Sequence, residues 1–190
     1  MRTVLAAIFL LLATCAARAD SALDLVAAAR AQVGVTLLYD SSYRRIAYPM
    51  GDVPLERGVC SDVVVRAFRA VGTDLQQELH RDMMRHFAAY PNNWGLARPD
   101  RNIDHRRVPN LATWFRRQGY DLPVSQDAAA YQPGDVVTWI LGGGQPHIGI
   151  VSDRRSDDGA RPLIIHNIGW GAREEDALFL YRITGHFRAF

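Results

Sequence analysis

Three residues carry most of the chemical potential of this chain: Cys60, His147 and His166. Cys60 opens a segment with helical periodicity. A thiol at a helix start feels unsatisfied backbone N–H groups and the positive end of the helix dipole, both of which favour the thiolate. His147 begins the apolar run His147-Ile148-Gly149-Ile150-Val151, just after a glycine-rich connection. His166 lies in Leu163-Ile164-Ile165-His166-Asn167, where strand alternation puts it on one face with Ile164 and leaves Ile165 and Asn167 on the other. Neighbouring strands can bring the two histidines side by side. Each residue also has an ordinary structural reading: Cys60 as a small buried hydrophobe, the histidines as strand residues satisfied by backbone partners.

The elements that must position these residues are helical first and stranded later. Ser21 with Asp24 forms a capping-box pattern for a helix through Leu23, Val26, Ala27 and Ala31, stopped near Gly34. Val35 to Tyr39 reads as extended, and Asp40 to Arg57 as a long ordered loop. A second helix runs from Cys60 to Val71, with Val63, Val64, Ala67, Phe68 and Val71 on one face and Gly72 ending it. A third covers Leu75 to about Ala89, and a short fourth is capped by Asn110 and ended by Gly119. After Pro133-Gly134 come strands over Asp135 to Leu141, His147 to Val151 and Leu163 to Asn167, then one or two over Leu178 to Phe187. Their short connections suit antiparallel neighbours. The expected class is α+β, a helical N-terminal half packed on an antiparallel sheet.

Composition narrows the partners. The first 19 residues, with Arg2, an apolar stretch from Val4 to Ala13 and Ala17-Arg18-Ala19 before Asp20, have the layout of a secretory signal peptide. The expected organisation is therefore a leader over residues 1–19 and one domain over residues 20–190, in the periplasm or secreted. A lipoprotein form with Cys15 lipidated is the less favoured alternative. No apolar stretch reaches the ~20 residues of a spanning helix. Of the 22 basic residues, Arg2 and Arg18 leave with the leader, so 20 face 20 acidic ones. That balance gives no support for a nucleic-acid partner. Every basic residue is Arg, which removes lysine Schiff-base and general-base chemistry. Of the two cysteines one lies in the leader, so Cys60 is the single thiol of the mature chain and cannot form an internal disulfide. No cofactor motif is present: there is no Gly-x-Ser-x-Gly elbow, phosphate loop or His-Glu-x-x-His helix.

The order of these pieces resembles the NlpC-type peptidases, a papain-like group. In that group a cysteine at a helix start is followed by a Pro-Gly-Asp turn into a strand, a strand opening His-x-Gly-Ile, and a strand bearing a third polar residue. The matching segments are Gly58-Val59-Cys60-Ser61-Asp62, Gln132-Pro133-Gly134-Asp135-Val136-Val137, His147-Ile148-Gly149-Ile150-Val151 and Ile164-Ile165-His166-Asn167. The chain departs from the pattern at Val59, where the group usually has Asp. It is still more similar to a group of uncharacterised exported bacterial proteins near that superfamily.

The resemblance implies a papain-like fold and a cysteine peptidase or amidase acting on peptidoglycan stem peptides or muropeptides. It implies Cys60 as nucleophile, His147 as its base and His166 as the orienting partner. Tyr39 resembles an upstream tyrosine of the group that can add an oxyanion donor to the Cys60 N–H. Asp62, Asp104, His105, Arg106, Trp139 and Asn167 are candidates for gripping substrate; the plainer readings are a helix N-terminal charge for Asp62, a loop ion-pair cluster for Asp104 to Arg107 and core packing for Trp139. Three other functions fit the same residues: acyl transfer or ester hydrolysis on another acyl group, a Cys/His zinc site, and a non-catalytic wall-binding module. Oligomeric state is not legible.

Overall fold

The structure, a computed structural model, describes residues 20–190. The expected leader, with Cys15, lies outside the described residues. A helix, α1, covers 20–30 and gives way to a turn over 31–35. A two-residue strand β1 (Leu38–Tyr39) then pairs in parallel with β2 (Arg57–Gly58). The intervening segment has no regular structure, as its Tyr, Pro and Gly punctuation suggests. Helix α2 (Cys60–Ala70) follows, then α3 (Leu75–His86) with a 3-10 turn over Phe87–Ala89. Gly72 takes φ 90 after α2, the left-handed conformation that lets a chain leave a helix without Cβ strain.

Helix α4 (Val108–Arg117) begins earlier than its sequence suggests. Asn110 does not cap it. Pro109 occupies the first turn, where a missing N–H costs nothing, and the Asn110 amide donates to the Asp104 carbonyl at 3.2 Å.

Six strands form one antiparallel sheet: β3 (Asp121–Leu122), β4 (Val136–Ile140), β5 (Pro146–Arg155), β6 (Pro162–Asn167), β7 (Ala172–Glu175) and β8 (Arg182–Phe187), in the order β3-β8-β4-β5-β6-β7. The α+β class is as expected. The last strand is shorter than Leu178 to Phe187, because Leu178 turns inward instead of extending. Strand β7 has no sequence signature, since Ala-Arg-Glu-Glu shows no apolar alternation.

Alternation divides the sheet residues between two cores. Val136, Ile148, Ile150, Ile165, Ala172 and Phe187 meet the apolar faces of the four helices, and Cys60 belongs to this cluster. Val137, Trp139, Val151, Ile164 and Ile183 face the other way and pack with Tyr131, Ala177 and Leu178. Each fully buried Ile, Leu or Phe contributes about 1.5–3 kcal/mol of transfer free energy, so both faces are strongly specified. A one-residue slip would exchange them. Among the described residues no helix is long and apolar enough to cross a membrane.

Candidate active site

Cys60 is the first residue of α2, and Val59 caps the helix in extended conformation. Asp62, three residues into the motif, accepts the Val59 N–H at 2.6 Å and so satisfies one of the backbone donors at the helix start. Asp62 is also locked to Arg106, whose Nε and Nη2 reach its two oxygens at 2.9 and 3.0 Å. The same guanidinium donates to the carbonyls of Ser42 and Asp40, at 3.0 and 2.8 Å, and the Arg106 carbonyl accepts from the Ser61 hydroxyl at 2.7 Å. One buried arginine thus ties the start of α2 to the loop that follows Tyr39. Such a pair offsets its desolvation only when hydrogen bonds surround it, a condition met here.

The Gly58 carbonyl is a second anchor. It accepts from the Asp40 N–H at 3.1 Å and from Asn167 Nδ2 at 3.1 Å, joining β1 and the end of β6 to the segment before Cys60.

The position of the sulfur follows from the hydrogen-bond pattern of β5. Val151 exchanges backbone bonds with the β4 side, through Asp135 and Gly134, so odd-numbered peptides of this strand point toward β4 and even-numbered ones toward β6. Registered pairing with β6 runs through Ile150↔Ile165 and stops short of Ile148. The freed Ile148 N–H faces Cys60 and, with the N–H groups of Ser61 and Cys60 itself, stabilises negative charge on the sulfur. A strand N–H lies in the plane of its sheet. Cys60 reaches this N–H from the helical side, where it packs with Ile148 and Ile150, whereas alternation places His147 and His166 on the opposite face with Trp139 and Ile164; the structure joins the two histidines to each other, and only the backbone of β5 links them to the sulfur.

Those two histidines are in direct contact. His147 Nε2 lies 2.7 Å from His166 Nδ1, and His166 Nε2 lies 2.9 Å from Glu175 Oε1 on β7. Gly149 makes the approach possible, because a Cβ there would come within 3.1 Å of His166 Cβ and 2.8 Å of Ile164 Cγ2. An ionised carboxylate only accepts, so Glu175 fixes the proton on His166 Nε2. His166 Nδ1 then accepts from His147 Nε2–H, leaving the His147 Nδ1 lone pair as the free base of the relay. Trp139 shields the relay with its ring centroid 5.9 Å from that of His147, anchored by an Nε1 bond to the Leu178 carbonyl at 2.9 Å.

The electrostatics are those of a dry site. Burial pushes the Cys60 thiol up to about 12, and Asp62 adds to the shift against the opposing backbone N–H groups. Burial, helped by His166, pushes His147 down to about 3. His166 is also lowered by burial, with Glu175 opposing. The resting pair is thus a neutral thiol and a neutral imidazole. Among the described residues no sulfur–imidazole hydrogen bond is formed. Tyr39 is pushed up to about 12 by burial and by the nearby Cys60 and Asp62 charges, so it remains a hydroxyl donor; at 45 % exposure it stands at the rim.

The remaining candidates are interior. Asp62, Asp104, His105, Arg106, Trp139 and Asn167 are all buried. Asp104 accepts the Asp100 N–H at 2.5 Å and pairs with Arg107 at 2.8 Å. His105 is pushed down to about 3 by burial and by the Arg69 and Arg106 charges. Asp62 and Arg106 brace the loop before α2, Asn167 ties the end of β6 to Gly58, and Trp139 packs on the far side of the sheet. Glu175 escapes sequence reading because it sits in a polar tetrapeptide whose pairing to β6 is visible only in three dimensions. Among the described residues no three His, Cys, Asp or Glu side chains are grouped so as to hold a metal ion.

No solved structure matches this chain. It is 55% identical over 173 residues to the uncharacterized protein YijF of Escherichia coli (strain K12), a match covering 91% of this chain and 84% of that protein. The profile of a family described as a domain of unknown function, DUF1287, matches residues 26–189, nearly the whole of the described fold, and the chain belongs to that family.

Proposed function

We propose that this protein is an exported papain-like cysteine hydrolase that cleaves an amide bond in peptidoglycan stem peptides. The observation that carries the reading is the Cys60 sulfur set among backbone N–H groups at a helix start and against the Ile148 N–H, while the preceding residue of that strand, His147, heads a His147–His166–Glu175 relay whose tautomers leave its Nδ1 unprotonated. The secretory layout of residues 1–19 supports a substrate outside the cytoplasm.

In this reading His147 Nδ1 takes the thiol proton as the sulfur attacks the scissile carbonyl carbon. The proton then passes to the departing amine as the C–N bond breaks, leaving a thioester on Cys60. Water, deprotonated by the same imidazole, attacks the thioester and releases the acid and the thiol. His166 and Glu175 stabilise the imidazolium that forms between these steps. The Cys60 N–H and the Tyr39 hydroxyl supply oxyanion donors, each worth about 3 kcal/mol of transition-state stabilisation.

The test is digestion of purified peptidoglycan and muropeptides by the mature chain and by Cys60→Ala, His147→Ala and Glu175→Gln variants, with products identified by mass spectrometry. The first two variants are expected to lose cleavage. Glu175→Gln is expected to retain a reduced rate, down about tenfold, because the amide can present a donor to His166 and scramble the relay. Full activity in Cys60→Ala sinks the reading.

A further inference from the structure

The loop after Tyr39, His80 of α3 and residues 96–102 form an open cleft of about 940 Å³ that the catalytic reading does not use. Its lining includes Tyr43, Arg45, His80, Arg98, Arg101 and Asn102. Three guanidinium groups face one carboxylate, Asp100, and that carboxylate is already engaged: Oδ2 accepts from the Tyr43 hydroxyl at 3.0 Å, and Oδ1 accepts from the N–H and Nδ2 of Asn102, both at 2.9 Å. Arg45 and Arg98 have no acidic partner among the described residues, whereas adjacent Arg44 pairs with Asp40. Arg101 stacks over the Tyr48 ring at 5.5 Å from its centroid. His80 contributes a buried Nδ1 without a hydrogen-bond partner, and burial holds its imidazole below the ordinary value. Like charges crowded into one concavity repel each other unless an anion arrives.

The walls are pre-built. Asn102 Nδ2 donates to the Tyr43 hydroxyl at 3.0 Å, and Asn102 Oδ1 accepts from the Ile46 N–H at 3.2 Å, linking the two loops. Gln76 Nε2 braces both from below through the carbonyls of Ala47 and Arg101. The loop that carries Tyr43 and Arg45 is tied to the start of α2 just before them, since buried Arg106 bonds the Asp40 and Ser42 carbonyls and Asp62 at once.

We infer that this cleft binds the free carboxylates of an acidic peptide, Arg45 and Arg98 providing forked contacts to them, and so selects the chain whose amide is presented to Cys60. Planar guanidinium groups match carboxylates in two-point geometry, which gives such a cleft selectivity over a neutral analogue. The inference rests on the hydrolase reading and names the substrate feature that it recognises.

The test uses the mature Cys60→Ala protein, so that binding is read without turnover. Calorimetry compares a muropeptide bearing free carboxyl groups with the same muropeptide converted to carboxamides, and with inorganic phosphate. The free acid is expected to bind at least about tenfold more tightly than the amide form, with Arg45→Gln and Arg98→Gln each removing about tenfold from the acid and nothing from the amide. Both side chains are exposed and, among the described residues, free of ion pairs, so folded variants are expected, checked by circular dichroism. Equal binding of the two forms overturns the inference, as does phosphate displacing the muropeptide at similar concentration, which would mark a small-anion site. Unchanged kcat/KM for muropeptides in the two arginine variants, with Cys60 still essential, removes the inference and leaves the hydrolase. Cleavage surviving in Cys60→Ala removes the hydrolase whatever the calorimetry shows.

Discussion

At Cys60 two opposing effects meet. Backbone N–H groups at a helix start favour the thiolate, while a 3 % exposed position and the Asp62 charge favour the thiol. Burial wins, and the folded thiol is pushed from 9.0 to about 12 while His147 falls from 6.5 to about 3. The linkage consequences have opposite signs. Stability tied to His147 is present above pH 6.5 and lost as pH falls toward 3; stability tied to Cys60 is present below pH 9 and lost as pH rises toward 12. A chemical consequence follows as well. Alkylation of Cys60 by iodoacetamide in the folded protein is expected to be about a hundredfold or more slower at pH 7 than that of free cysteine, and to climb steadily with pH. A rate that instead stays level below pH 7 would reveal a resting thiolate–imidazolium pair and refute the neutral description.

The elements work by bringing side chains of three adjacent strands into contact. β5 supplies His147 and the Ile148 N–H, β6 supplies His166 and Asn167, and β7 supplies Glu175. Their mutual approach depends on the missing side chain at residue 149. Gly149→Ala is expected to destabilise the fold by about 1–3 kcal/mol, because the new methyl meets Ile164 Cγ2 at 2.8 Å within a packed core. It should also displace His166 and depress activity beyond what the lost stability explains. Gly142→Ala is the control: nothing lies within 4 Å of a Cβ there, so a change within about 0.5 kcal/mol is expected. Urea titrations of both variants measure the difference. Equal stabilities would mean that the strands relax freely and that close packing does not set the histidine contact.

Across the whole molecule one core joins all four helices to five of the six strands of the sheet. The sheet has a second core on its far face, but among the described residues the four helices bury their apolar faces only in this shared core, so the helical layer is expected to unfold together with the sheet. Trp114 reports from α4 and Trp139 from the far side of β4. Tryptophan fluorescence and far-ultraviolet circular dichroism should therefore give superimposable denaturation curves. Separate midpoints would show that the helical layer and the sheet are independent units.

The sequence by itself determined the α+β class, the helix that opens with Cys60 and the three apolar strands, because each rests on a local period set by burial of one face. It also put His166 on the Ile164 face, since alternation needs no partner. Other features depended on contacts between residues far apart in the chain. The early start of α4 was settled by Pro109 and by the Asn110 bond to Asp104, and β7 was settled by its pairing to β6. Only the tertiary structure could show that Asp62 and Arg106, 44 positions apart, form one buried clamp, or that Glu175 completes the histidine relay. The reason is physical: an apolar face leaves a repeating trace in sequence, whereas a single hydrogen bond between distant polar groups has no period and exists only once the sheet has brought its ends together.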